Sequence, residues 1–182
     1  TLEVATFGTD SGTCGLSATP CRSIGQAVTN ATAGDTIIVG PGRYGDLDED
    51  GVFGEPGEEG PQAALCTCFV RVDKSLTILS RDGATATELD GGPSGVNELV
   101  EIEASDVVFG KKGKGFTLTR GGGGVFVRNP TTGVVLAGNV AIATGGTGFL
   151  VDGSGNVVED CRAQANSAGG VRLRGSGGHL LR

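Results

Sequence analysis

"GFLVDGSGNVVEDCRAQA" (148–165) can be laid over "GVRLRGSGGHLLR" (170–182) at an offset of 22 residues. Phe149 then meets Val171, Val151 meets Leu173, Gly153 meets Gly175 and Val158 meets Leu180. Going backwards, "GVFVRN" (124–129) meets "GFLVDG" (148–153) at an offset of 24. Short apolar groups and glycine corners repeating at this period are the signature of a solenoid. One coil cannot bury its own apolar row, so successive coils must stack in parallel register, about 4.8 Å apart. A leucine-rich repeat has a similar period but demands regular Leu and an Asn or Cys at a fixed place. This chain lacks that pattern, and a β-helix fits better.

Strand-like groups continue through the chain, among them "TIIVG" (36–40), "FVRVD" (69–73), "LTILS" (76–80), "LVEIEA" (99–104), "FTLT" (116–119) and "VVLAGN" (134–139). With 35 glycines and 4% aromatic residues in 182 positions, the chain is turn-rich rather than low-complexity, because Val, Ile and Leu recur regularly. "PGRY" (41–44) reads as a turn followed by an aromatic. In "CRSIGQAVTNATAGD" (21–35), Ile24, Ala27, Val28 and Ala31 share one face of a short helix, and Gly34 reads as its C-terminal cap. A helix over 22–31 with one apolar face needs a surface to cover, which suits the end of a solenoid.

"CRSIGQAVTNATAGDTIIVGPGRY" (21–44) resembles the N-terminal cap and first coil of right-handed parallel β-helix proteins of the pectate-lyase-like superfamily. Ile24, Ala27, Val28, Ala31, Gly34, Asp35, Thr36, Ile37, Val39, Gly42 and Tyr44 match a phrase that recurs there. "TELDGG" (87–92) looks like the short linker such proteins use between coils. The expected fold is all-β, a right-handed single-stranded parallel β-helix of about five or six coils with an N-terminal capping helix. It is expected to form one domain over 1–182, with a cap at 1–35, an acidic insertion at 45–62 and an uncapped C-terminal end. The absence of Met marks the chain as a processed or trimmed product.

The formal charge is −7, and seven carboxylates lie between Asp46 and Glu59: Asp46, Asp48, Glu49, Asp50, Glu55, Glu58 and Glu59. Without those seven, the basic and acidic residues balance. The acidity is local, and no nucleic-acid partner is implied. No apolar run reaches the roughly 18 residues of a membrane helix. Cys14 and Cys21 bracket a short Gly- and Pro-containing loop, and joining them would stabilise by about 2.5 kcal/mol. That disulfide implies an oxidising, extracytoplasmic location. Cys66 and Cys68 pair elsewhere or with each other, and Cys161 reads as a small core residue.

"DLDEDG" (46–51) matches the first half of a calcium loop, D-x-D-x-D-G. Asp46, Asp48 and Asp50 can converge on one cation, with the carbonyl of Val52 and the carboxylates of Glu55 or Glu58 completing the shell. The competing reading is a solvated acidic insert. Arg128, Asp152 and Arg174 occupy one place on three coils, where opposite charges would stack as a ladder. The family resemblance also offers a polysaccharide lyase, in which Arg acts as base while carboxylates hold calcium. Arg162, Arg172, Arg174, Asp152, Glu159 and Asp160 would supply that set, and the ladder is the better reading. His179 lacks the clustered aspartates of related glycoside hydrolases and reads as a surface residue. "KKGKG" (111–115) and the four glycines at 121–124 read as a basic loop and a corner.

The expected function is a non-catalytic secreted or surface scaffold. It would present its faces to polysaccharide or protein partners, and end-to-end self-association would follow from the uncapped end. A lyase or hydrolase fragment is the alternative.

Overall fold

Alternating apolar residues become short strands whose inward rows continue from coil to coil. The computed structural model describes residues 1–48, 50, 52, 54–60, 66, 68–92 and 98–182. The chain opens with β1 (Leu2–Val4) and α1 (Ile24–Asn30). Triplets follow: β2 (Thr36–Val39), β3 (Gly42–Gly45) and β4 (Cys68–Val72); then β5 (Thr77–Ser80), β6 (Thr87–Asp90) and β7 (Glu98–Ile102). The third is β8 (Val108–Phe109), β9 (Thr117–Thr119) and β10 (Gly123–Val127), and the fourth β11 (Val135–Ala137), β12 (Val140–Ile142) and β13 (Thr147–Val151). The last is β14 (Val157–Glu159), β15 (Arg162–Gln164) and β16 (Gly169–Leu173), and β17 (Leu180–Leu181) begins another turn.

Strands in equivalent positions pair in parallel and build three sheets, ordered β1-β2-β5-β8-β11-β14-β17, β3-β6-β9-β12-β15 and β4-β7-β10-β13-β16. The molecule is a parallel β-solenoid. Its core is a set of columns. One runs Ile37, Ile78, Phe109, Leu136, Val158. A second runs Tyr44, Leu89, Leu118, Ala141, and a third Val70, Val100, Val125, Phe149. All of these residues are buried. Stacking like on like removes apolar surface at about 25 cal/mol per Å², which is what holds strands of only two to five residues.

The corners satisfy their own backbone. Asn139 accepts from the Phe116 amide at 3.0 Å and donates to the Phe109 carbonyl at 2.8 Å. Asn156 and Asn166 accept from the amides of Val134 and Thr144 in the same way. Gly175 sits at φ +122 directly against the carbonyl of Gly153 on the coil below, so a Cβ there would overlap that oxygen.

The register expected from the repeat holds at Phe149–Val171 and Val151–Leu173, and at Val125–Phe149 one coil earlier. It slips at Val158, which pairs with Leu181 rather than Leu180. Ser154 already bridges Gly177, so the extra residue is absorbed in the corner after Gly175. "PGRY" and "TELDGG" are not turn and linker: Gly42–Gly45 and Thr87–Asp90 are strands β3 and β6 of one sheet.

The cap is built as its sequence pattern requires. Ile24, Ala27 and Val28 are buried, Ser23 caps the N-terminus by accepting from the Gln26 amide, and Lys74 donates to the carbonyls of Val28 and Ala31. The helix is shorter than the expected 22–31 and ends at Asn30, with Ala31 as its C-cap. Gly34 lies beyond it, in a turn closed by Asp35, which accepts from the amide and hydroxyl of Thr32. Those bonds hold the Asp35 carboxyl below its usual range. The Cys14–Cys21 disulfide, with an S–S distance of 1.95 Å, ties the loop that precedes α1.

Candidate functional site

The acidic segment leaves the solenoid between β3 and β4. Residues 49, 51, 53, 61 and 62 of this insert, Glu49 among them, lie outside the described residues. No Lys or Arg lies between Arg43 and Arg71. Arg43 donates to the carbonyls of Leu47 and Asp46 at 3.2 and 3.0 Å, and its Nε lies 2.8 Å from Asp90. Arg120, one coil further on, donates to the other Asp90 oxygen at 2.7 Å. Burial opposes the Asp90 charge, but the Arg120 and Gly92 hydrogen bonds and the charges of Arg43 and Arg120 hold its pKa below the usual carboxylate range. Nothing in the linear sequence announces this Arg43–Asp90–Arg120 stack.

The insert then folds back over the cap. Glu58 accepts from the Leu47 amide at 2.7 Å. Glu59 is fully buried and accepts from the amides of Ile24 and Gly25, the first turn of α1. Burial outweighs these two bonds and pushes the Glu59 carboxyl up to about 7. Asp46 is buried as well, so the segment is not simply a solvated excursion.

The expected cation ligands gather. Asp46, Asp48 and Asp50 each place a carboxylate oxygen within 4.8 Å of the others. That span suits a calcium ion, whose oxygen ligands lie about 2.3–2.6 Å from the metal. Asp48 accepts from the Asp50 amide and Asp50 from the Val52 amide. Glu58 Oε2 is buried without a hydrogen-bond partner. Glu55 is exposed, and its carboxyl is raised first by the charge of Asp50, with burial, Asp48, Glu58 and Asp46 adding to it. Val52 is exposed beside this group.

The residues expected on the coil faces separate. Arg174 makes a bidentate pair with Asp152, at 2.6 and 2.9 Å. Arg128, expected on the same ladder, turns the other way to pair with Glu101 and stacks 5.0 Å over Phe126. The reason is that Glu101, one coil earlier in register with Phe126, is nearly fully buried and needs a cation. Asp160 stands at the β14–β15 corner with Lys112 at 3.7 Å, and Arg162 on β15 bonds Gln164. Glu159 pairs with Arg182. Arg172 lies on β16. His179 is half-buried and contacts the Arg174 carbonyl through Nε2 at 3.0 Å. Cys161 is a free, half-buried thiol packed against the core, and burial raises its pKa. Cys66 and Cys68 pair with each other.

No family model, curated protein or solved structure matches the chain. No helix among the described residues is long and apolar enough to cross a membrane.

Proposed function

We propose that the chain is an extracytoplasmic, non-catalytic β-helix scaffold of the pectate-lyase-like kind, presenting its long faces to glycans or proteins. The observation that carries this reading is the bidentate Arg174–Asp152 pair, with Arg162 and Asp160 engaged elsewhere. A lyase needs a free Arg base and a carboxylate-bound metal converging on one substrate carbon; here the Arg and carboxylate neutralise each other. The two disulfides favour an oxidising compartment. An assay for unsaturated products on pectate and alginate tests the main reading. Turnover by the wild-type chain would overturn it in favour of a lyase.

The insert is the cofactor site of this scaffold. Asp46, Asp48 and Asp50, supported by Glu58, Glu55 and the Val52 carbonyl, would hold calcium and fasten the insert to the cap. Binding to the native state alone must raise the melting temperature with ligand excess. Thermal unfolding with calcium and with chelator is expected to differ, and Asp48→Asn to abolish the difference. An identical melting temperature in both would remove calcium from the proposal while leaving the scaffold reading intact.

A further inference from the structure

Between the cap and the insert lies a cavity of about 670 Å³, walled by Asp10, Arg22, Gln26, Thr29, Glu55 and Glu58 among others. That volume suits a small molecule. Gln26 and Thr29 are already engaged within α1, with Asn30 and the Gly25 carbonyl at 2.9 and 3.0 Å. The charged groups on the wall decide which ligand it would take.

Arg22 is the deciding residue. It is only 8% exposed, and its guanidinium packs 5.5 Å from the centre of the Tyr44 ring. Nη1 is buried without a hydrogen-bond partner, and none of the described residues accepts a hydrogen bond from this side chain. Its backbone is fixed from the other side, because Asp10 accepts from the amides of Arg22 and Ser23 at 2.8 and 2.9 Å. Glu59 lies close enough to interact electrostatically, but its oxygens are taken by the Ile24 and Gly25 amides. A buried guanidinium whose Nη1 lacks an acceptor is costly, and a planar oxyanion relieves that cost best. The other charged side chains on the wall, Asp10, Glu55 and Glu58, are carboxylates. They would repel a simple anion, and Arg22 would repel a simple cation.

We propose that this cavity binds a small amino carboxylate, its carboxylate on Arg22 and its ammonium toward Asp10 and Glu55. The site does not rest on the scaffold reading, and because it shares Glu55 and Glu58 with the proposed calcium ligands it is tested in the absence of calcium. Calorimetric titration of the full chain in chelator, with alanine, γ-aminobutyrate, butyrate and butylamine as probes, tests it directly. At least one amino carboxylate should bind, and butyrate and butylamine should bind roughly tenfold more weakly or worse. Arg22→Gln should abolish binding. Should that variant fail to fold, Glu55→Gln, at an exposed position, should weaken the amino carboxylate several-fold without weakening butyrate. Failure of both amino carboxylates to bind, equal binding of either singly charged probe, or unchanged binding in Glu55→Gln would each overturn the proposal.

Discussion

The coils from β10 onward and the first sixty residues are built on different principles. From Gly123 the chain advances in near-equal coils whose inward columns are apolar and whose outward charges pair at the surface. Before Gly60 the same architecture carries a helix, a disulfide loop and an insert held by buried charge: Asp46, Glu58 and Glu59 on the insert, Arg22 on the cap. One half draws its stability from repetition. The other depends on single contacts that have no copy elsewhere in the chain, and the two should respond differently to mutation and to pH.

The largest effect is expected in the repetitive half. Phe149→Ala would remove a fully buried ring from a core column and lower unfolding free energy by about 3–5 kcal/mol, read from urea denaturation. If it cost little, the columns would not be what holds the coils. Next is Asp90→Ala, which strips Arg43 and Arg120 of a shared, nearly fully buried partner. Because both arginines keep some solvent, about 2–3 kcal/mol is expected, together with faster proteolysis within the insert, since Arg43 also holds its first residues.

The pH dependence sharpens the contrast. The Glu59 carboxyl is raised in the fold from 4.5 to about 7, so its contribution to stability is fully present below 4.5. That contribution is lost as pH rises through about 7. The wild-type melting temperature should therefore fall over this window relative to that of Glu59→Gln, whose side chain cannot ionise. A constant difference between the two would show that the buried carboxylate does not titrate there. Asp90 has the opposite sign: its lowered pKa gives stability that is lost only in acid. The smallest effect is Arg174→Ala. The pair is partly exposed, and no more than about 1 kcal/mol should be lost.

The two halves also differed in how much their sequence disclosed. Columns were legible wherever a strand held two inward residues, as at Val125 and Val127 or Phe149 and Val151, because alternation then repeats within one element. Strands β3, β6, β12 and β15 were not: β12 buries only Ala141, β15 buries nothing fully, β3 has Tyr44 as its one buried side chain, and β6 buries the polar Thr87 and Asp90 beside Leu89, so apolar alternation cannot reveal them. The acidic triad was legible from its spacing. Its surroundings were not: Glu59 reaches α1 thirty-five positions earlier in the chain, and Asp90 reaches Arg43 across forty-seven. Arg128 was misassigned because its offset to Asp152 was visible while the burial of Glu101 was not.

The corner that swallows one extra residue before β17 has a wider consequence. Along one column the chain runs from Ile37 to Ile78, then to Phe109, Leu136 and Val158, covering ever shorter lengths for the same single rise. Pitch is set by strand pairing, and contour length between pairings is a free variable. A foreign segment grafted at the corner between β3 and β4 would therefore leave the thread of the solenoid unchanged, provided Arg43 kept its acceptors. The architecture can acquire new surface by insertion without redesigning its interior.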